Sequence, residues 1–450
     1  MFAVDRSLPT ALPTQIAAGL RALVASGQLA AGDRVPSTRE LARQIGVSRG
    51  SVVAAYEQLL SEGFLLSSQG APTVVHPELS RLTTSHRPTY PQPRARSRKV
   101  LSLKPASGHA GTIRPAAWRR AWREAAAEPP AAIDKAGQPL LRSAIAEHLR
   151  LARGFAADPD NVLVSGGSRE GLLLILMTLG RNLRVGVEDP GHPGLRNIIP
   201  LAGHTLVTCP TDGRGLVVEA LPSDLDVVVV TPSHLYPLGG SMPAPRRAAL
   251  LTWAARQGVV VIEDDYNTEL RYRVSPQPTL AALTSEADVV ALGTFSTLLS
   301  KQLNAGYVVA GPALAQRLRE TRDMLGMPVS PVTQHAIAQL LDGGYVRRNT
   351  RSVHRRLTQR REALRERVFP VLRDLGAEIE ENDEVLGVDI VVRFADDAQR
   401  AHLEFVLAAR DVEWGRVGTS TSGELLLSFG HLDDSDFETA VTILAGATPR

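Results

Sequence analysis

Pro36-Ser-Thr-Arg-Glu-Leu-Ala-Arg-Gln-Ile-Gly-Val-Ser-Arg-Gly-Ser-Val-Val-Ala-Ala-Tyr-Glu-Gln-Leu-Leu-Ser-Glu-Gly63 reads as two helices joined by a tight turn. Ser37 is a good N-cap, and Glu40 three residues later completes a capping box for the first helix. Leu41 and Ile45 fall on one face of that helix, and Gly46 turns the chain. Ser48 caps the second helix, which directs Val52, Tyr56 and Leu59 inward. Upstream, Thr14 to Ala25 carries Ile16, Leu20 and Leu23 at helical spacing and stops at Gly27. Downstream, Phe64 to Val75 reads as two short strands with Gln69 and Gly70 at their tip. Three helices and a strand pair, with a glycine turn before a helix that starts Ser-Arg-Gly-Ser, have the outline of a winged helix-turn-helix.

In such a unit the second helix of the pair enters the major groove of DNA by its first residues. Arg49 is then placed to donate two bonds to a guanine edge. Arg39, Ser48 and Ser51 are placed for phosphates, and Gln69 and Gly70 for contact by the wing. For Arg39 the alternative is a surface ion pair. The stretch resembles the GntR-type winged helix: Pro-Ser-x-Arg-x-Leu-Ala stands at Pro36–Ala42, Gly-Val-Ser-Arg at Gly46–Arg49, and Ala-Tyr-x-x-Leu-x-x-Glu-Gly at Ala55–Gly63. The resemblance covers about the first 76 residues.

At 450 residues the chain calls for more than one folded unit. The longest apolar run, Gly171 to Leu179, is far short of a membrane span. Met1 to Arg6 lacks the pattern of a signal peptide. A single cysteine, Cys209, excludes an internal disulfide and fits a reducing cytoplasm. No metal is expected. The net charge of +3 is unevenly spread. Residues 77–102 hold six basic side chains against Glu78 alone, with Pro77, Pro88, Pro91 and Pro93 and no apolar periodicity. This reads as a basic, proline-rich linker. Its charge either strengthens attraction to phosphate or merely keeps the linker extended.

From residue 103 to 450, apolar runs alternate with amphipathic segments. Val162–Val164, Arg184–Val187, Asp226–Val230, Val259–Ile262 and Val289–Leu292 are buried-strand candidates with helical patterns between several of them. Such alternation means an α/β domain with a mainly parallel sheet covered on both faces. Val385–Phe394, Glu413–Val417 and Glu424–Phe429 read as strands of a small C-terminal α/β subdomain, mainly 335–450. The arginine-dense helix at 344–361 reads as a solvated face, with a nucleic-acid face as the alternative.

Five segments resemble fold-type I aminotransferases, in the version fused to GntR-type domains and known as MocR/GabR-type transcription regulators. They are Val164–Leu172, Val187–Gly194, Thr231–Gly239, Ile262–Tyr272 and Gly293–Tyr307. Ser165, Gly166, Gly167 and Ser168 follow a strand and open a helix, whose free N–H groups make a phosphate cup. The resemblance implies that Asp264 pairs with the pyridine nitrogen of pyridoxal phosphate and Tyr266 donates to its hydroxyl. The adjacent Asp265 leaves the aspartate open by one residue. His192 stands where relatives carry an aromatic beside the ring and His234 where they also have histidine; Ser296 is a further residue through which pyridoxal phosphate would be held non-covalently. Gly194 lies where some relatives place an arginine for a substrate carboxylate, which argues against an amino-acid effector.

The departures bear on mechanism. Aligned without a gap over Gly293–Tyr307, the chain has Thr297 at the family's Schiff-base lysine and Asn304 at its phosphate-gripping arginine. The chain's four lysines are Lys99, Lys104, Lys135 and Lys301, and Lys301 alone lies near this motif. Without the lysine there is no internal aldimine and no amine base. The expectation is a DNA-binding regulator whose aminotransferase-like domain is a pseudo-enzyme. That domain would sense a small-molecule effector, either pyridoxal phosphate held non-covalently or a different molecule. Double-stranded operator DNA, the effector and a second copy in a head-to-tail homodimer are the expected partners, with RNA polymerase a further candidate; no membrane partner is expected. The alternatives are an active pyridoxal-dependent aminotransferase using Lys301 and a constitutive DNA-binding dimer. For Arg416 a surface pair is favoured over contact with a ligand acid.

Overall fold

The computed structural model describes residues 2–68, 71–81, 100–105, 113–129, 134–237, 239–266, 278–283, 286–379, 389–417 and 424–447. The chain divides into two compact units, Met1–Ser97 and Arg98–Arg450.

The first unit contains α1 (Leu12–Ala25), α2 (Thr38–Ile45) and α3 (Arg49–Ser61), then β1 (Leu65–Leu66) and β2 (Val74–Val75). Ser37 caps α2 by accepting from Glu40 N, and Ser48 caps α3 by accepting from Ser51 N. Gly46 ends α2 in the left-handed region at φ 68°, a conformation that costs glycine little. The two strands pair antiparallel, Leu65 with Val75 and Leu66 with Val74. Ile16, Leu20, Leu41, Val52, Ala55, Leu59 and Val75 close one small core. Each fully buried Ile or Leu of this kind contributes about 1.5–3 kcal/mol. Tyr56 sits on the rim of that core and donates to Pro36 O at 2.7 Å, which ties α3 to the entry of α2. Burial pushes its phenol up to about 12.

The second unit opens with β3 (Leu101–Leu103), α4 (Pro115–Ala125) and α5 (Pro139–Arg153). It continues through β4 (Val162–Ser165), α6 (Ser168–Leu179), β5 (Arg184–Asp189), α7 (Pro193–Arg196), α8 (Ile198–Leu201), β6 (Thr205–Asp212) and β7 (Gly215–Leu216). Next come β8 (Val227–Val230), α9 (Ala244–Gln257), β9 (Val260–Asp265), β10 (Val289–Thr294), β11 (Gly306–Val309), α10 (Pro312–Leu325), α11 (Pro331–Asp342) and the long α12 (Tyr345–Arg367). The chain then forms α13 (Phe369–Asp374), β12 (Ala377–Ile379), β13 (Asp389–Phe394), α14 (Asp397–Ala408), β14 (Val412–Arg416), β15 (Leu425–Ser428) and α15 (Asp434–Ala445).

An eight-stranded sheet in the order β4-β11-β10-β9-β8-β5-β6-β7 is the frame of this unit. The β10–β9–β8–β5–β6 run is parallel, while β11 is antiparallel to both β10 and β4. Strands β4, β5, β8, β9 and β10 therefore all end on the same edge. The all-valine β8 is buried on both faces, as a central parallel strand must be. Apolar clusters lie on either side of the sheet: α4, α5 and α11 contribute to one, and α6 and α10 to another.

A second, five-stranded sheet in the order β12-β13-β15-β14-β3 forms the small subdomain. Two expectations need correction here. The linker does not run to 102: Leu101, Ser102 and Leu103 pair in parallel with Val412, Glu413 and Trp414. Their apolar alternation buries Leu103 completely in the subdomain's core. Nor is the arginine helix a purely solvated face. Arg360 and Arg361 of α12 are buried, and Arg360 reaches Phe429 O at 3.0 Å and Asp434 Oδ1 at 2.8 Å while covering the Phe437 ring. Arg416 is paired with Glu404 at 2.8 Å on the exposed side of its strand.

Candidate functional site

In the first unit the polar residues face outward. Ser48 and Ser51 stand at the start of α3, where the Ser48 hydroxyl caps the helix and lies 2.9 Å from Ser51 Oγ. Arg49 is exposed at the first helical position, and its Nε donates to Thr38 Oγ1 at 3.4 Å. Arg39 is exposed on α2 and has no hydrogen bond or ion pair among the described residues. Gln69 and Gly70 lie outside the described residues. One contact had no signal in the sequence pattern. Arg6 donates to Gly46 O and so brings the chain's start against the turn between α2 and α3.

In the second unit the candidate residues sit where parallel strands end. Such carboxyl edges form the usual ligand crevice of an open α/β sheet. After β4, Ser165 to Ser168 turn into α6, with Gly167 at φ 93° as its N-cap. Part of this cup is already engaged: Gly166 N donates to Glu170 Oε2 at 2.9 Å, and Ser165 Oγ to Gly167 O at 3.3 Å. Glu170 is held in turn by the buried Arg322 at 2.7 Å. After β5 comes His192, after β8 come His234 and Tyr236, and Asp264 and Tyr266 close β9. These rings gather. His192 lies 5.2 Å from Tyr236 and 6.3 Å from Tyr266, and His234 lies 5.1 Å from Tyr266 edge-on. After β10, Thr294 Oγ1 donates to Ser296 Oγ at 3.0 Å and faces Gly167 across the cup.

Burial sets the ionisation of this crevice. Asp264 is 5% exposed, and burial pushes its carboxyl up to about 7 despite a hydrogen bond from Ser168. Its Oδ1 has no hydrogen-bond partner. Glu188, on neighbouring β5, is likewise lifted to about 7 by burial while accepting from Thr231 N at 3.0 Å and from the Thr231 hydroxyl. His192 is pushed down to about 4, first by burial and then by the Arg169 charge. Its ring is therefore neutral at pH 7, with Nδ1 accepting from Gly194 N at 3.1 Å.

Alternation along β9 separates two roles. Asp264 meets Ser168 on one face, while Glu263 and Asp265 meet the buried Arg153 of α5 at 3.9 Å and 3.2 Å on the other. Asp389 of β13 is pushed up to about 6 by burial, and burial first and the Asp389 charge second raise both Tyr236 and Tyr266. Arg153, Glu188, Tyr236 and Asp389 were not singled out from sequence. They come from four separate stretches, and what each of them meets is known only once the sheet order is known.

The turn after β10 differs from the rest. Ser296–Ser300 forms one turn of π-helix, followed by a 3₁₀ turn at Lys301–Leu303. Thr297 is half-buried in that turn. Asn304 is exposed in the left-handed region at φ 44°, at the entry to β11. The Lys301 side chain lies outside what is described.

The residues can be tested for a pyridoxal phosphate fit. At the pyridine end they fit: a buried carboxylate oxygen awaits a donor, with aromatic rings beside it. At the other end the turn after β10 carries a hydroxyl at Thr297 and an amide at Asn304, neither of them a primary amine or a guanidinium.

Comparison with known proteins bears on both units. A model of the gntR family of bacterial regulatory proteins matches residues 12–75, and one of aminotransferase class I and II matches residues 106–377. The pyridoxine biosynthesis transcriptional regulator PdxR of Corynebacterium glutamicum is 44% identical, covering 80% of this chain and 79% of that protein. The probable rhizopine catabolism regulatory protein MocR of Rhizobium meliloti is 31% identical, covering 88% of this chain and 84% of its own. Among solved structures, a kynurenine aminotransferase of Pyrococcus horikoshii superposes with a TM-score of 0.68 at 22% identity, covering 78% and 91% of the two chains. At that identity the likeness concerns the fold alone.

Proposed function

The chain belongs to the MocR/GabR-type transcription regulators, which join a gntR-family winged helix to an aminotransferase-like domain, and from that premise we propose that its large unit senses a small molecule without turning it over. One observation carries this reading. The crevice keeps a buried carboxylate with an unpartnered oxygen, Asp264 Oδ1, yet the turn after β10 presents Thr297 where an aldimine would need a primary amine. A site of this kind binds a polar ring and lacks the base that would move its proton.

On this reading Arg49 reads a guanine edge, and Arg39, Ser48 and Ser51 hold phosphates. Two copies in a head-to-tail dimer engage paired half-sites in the cytoplasm, with RNA polymerase as a further partner. Among the described residues no helix is long and apolar enough to cross a membrane. The effector shifts DNA affinity through unequal affinity for two arrangements of the dimer. Pyridoxal phosphate, held non-covalently by Ser165–Ser168, His192, His234, Asp264, Tyr266 and Ser296, is one such effector. The name of the relative PdxR, a regulator of pyridoxine biosynthesis, makes it the first to try.

The test is chemical. The purified protein is incubated with pyridoxal phosphate, reduced with borohydride and mapped by peptide analysis. The expected result is an unmodified chain. A stoichiometric adduct on Lys301 would overturn the reading in favour of a pyridoxal-dependent enzyme.

A further inference from the structure

Arg169 has no place in the roles assigned so far. It is the second residue of α6, in the first turn of a helix whose N-terminus already carries partial positive charge. A cation there is mildly disfavoured, and the exposure of Arg169 keeps that cost small. The nearby acid is not available to pair with it, because Glu170 is engaged by Gly166 N and by Arg322. Among the described residues Arg169 has no hydrogen bond or ion pair.

Its guanidinium nevertheless occupies a defined place. A methyl group on Gly194 would fall 2.6 Å from Arg169 Nε, 2.7 Å from its Nη2 and 2.8 Å from His192 Cε1. The bare backbone at 194 is what allows the guanidinium to lie against the His192 ring, at the wall of the crevice. A second observation points to a ligand in the same place. Ser168, the residue before Arg169, hydrogen-bonds Asp264, whose Oδ1 is buried and unpartnered. Among the described residues the crevice thus offers an exposed cation without an ion pair at its rim and a buried carboxyl oxygen without a partner inside it.

We infer that Arg169, admitted by Gly194, is the anion-binding residue of this pocket and receives a carboxylate or phosphate of the effector. The effector is then a small ring compound with an N–H donor for Asp264 and a negative group for Arg169. The inference rests on the non-covalent sensing reading and adds the ligand's charge to it. A guanidinium grips a carboxylate or phosphate in charge-assisted pairs, and Asn304 does not supply that grip. The expectation that Gly194 argues against an amino-acid effector is reversed on this view, because the guanidinium reaches that space from another position.

The experiment is calorimetric titration of the full-length protein with three probes: pyridoxal 5′-phosphate, 4-pyridoxate and neutral pyridoxal. At least one anionic probe is expected to bind tenfold or more tightly than pyridoxal. Preference for the phosphate over the carboxylate, or the reverse, identifies the anion. Arg169→Gln abolishes the preference and leaves pyridoxal affinity within twofold. Arg169→Lys, which keeps the charge and loses the planar fork, retains part of the preference, with both variants checked for an unchanged Tm. Anionic probes that bind no better than pyridoxal, or not at all, overturn the inference, as does a preference that survives Arg169→Gln. A reducible lysine adduct would instead overturn the non-covalent reading beneath it, so the two failures are distinguishable.

Discussion

The two units treat their polar side chains in opposite ways. The winged helix leaves Arg39 and Arg49 in solvent and uses its serines as helix caps on the surface. The large unit buries Arg153, Glu188, Glu263, Asp264 and Arg322 and pairs most of them; among the described residues Glu263 Oε1 and Asp264 Oδ1 lack a hydrogen-bond partner, and only the second lies in the crevice. An exposed cation stays solvated at little cost and waits for an extended, charged partner. A buried unpaired oxygen carries a desolvation penalty that protonation or a donor entering the crevice relieves. On the proposed reading the first unit meets a large surface outside it, and the second a small molecule inside it.

Four changes would break or sharpen that contrast. The largest concerns chemistry inside the crevice. Thr297→Lys combined with Asn304→Arg should create a borohydride-reducible pyridoxal phosphate adduct approaching one per chain at position 297, against none in the parent. Mass spectrometry of the reduced protein reads this directly. Absence of an adduct would mean that the crevice has lost more than two side chains.

Next in size is Arg153→Ala, which strands Glu263 and Asp265 against a buried cavity. Breaking a buried ion pair from one side costs about 3–5 kcal/mol. The large unit's thermal transition at pH 8 should fall while the winged helix melts as before. Outward residues should behave differently. Arg49→Ala is expected to cost ~1–3 kcal/mol of specific operator binding. Its effect on stability should stay within about 0.5 kcal/mol, as for an exposed side chain away from special features. Titration of a fluorescent operator and a melting curve on the same sample check both halves.

The smallest effect is the pH dependence, and its sign differs between the units. Glu188, Glu263 and Asp264 are lifted to about 7 and Asp389 to about 6, in each case chiefly by burial. Between about pH 4.5 and 7 the folded large unit therefore binds protons that the unfolded chain has released, so its stability falls as pH rises. In the winged helix, hydrogen bonds from Arg21 and Gln58 hold Glu62 below its ordinary value, and Ser7 does the same for Asp5. That contribution is present above the ordinary carboxylate range and is lost as pH falls through the lowered values. Calorimetric scans from pH 4 to 8 should show the large unit's transition rising on acidification and Asp264→Asn flattening part of that slope. A winged-helix transition that rose in parallel would contradict the assignment.

Legibility followed the range of the interactions. In the winged helix, caps and stripes lie within four residues of one another, so Ser37, Gly46, Ser48, Val52 and Leu59 read correctly from the pattern alone. Five buried strands of the large sheet were equally plain because β-branched runs between turns leave few alternatives. Strands β6, β7, β11 and β12 were not anticipated: β6 mixes exposed and buried residues, and β11 follows a motif read for chemistry. β3 was absorbed into the linker because three residues carry too little periodicity. Asp264, Tyr266 and the serine-glycine turn were picked out by resemblance. Arg153 and Asp389 gave no local sign, since an isolated charge looks solvated until its surroundings are known.

Sequence alone determined which side chains exist: a helix-turn-helix with Arg49 at the head of its second helix, and an aminotransferase-like frame with a threonine and an asparagine at two telling positions. The tertiary structure decided which of them meet. Sheet order brings the ends of β4, β5, β8, β9 and β10 to one edge, where burial raises the Asp264 carboxyl to about 7 and lowers the His192 ring to about 4. A missing side chain at 194 gives a guanidinium its resting place. Ionisation and vacancy are properties of surroundings, and distant parts of the chain supply those surroundings only when it folds.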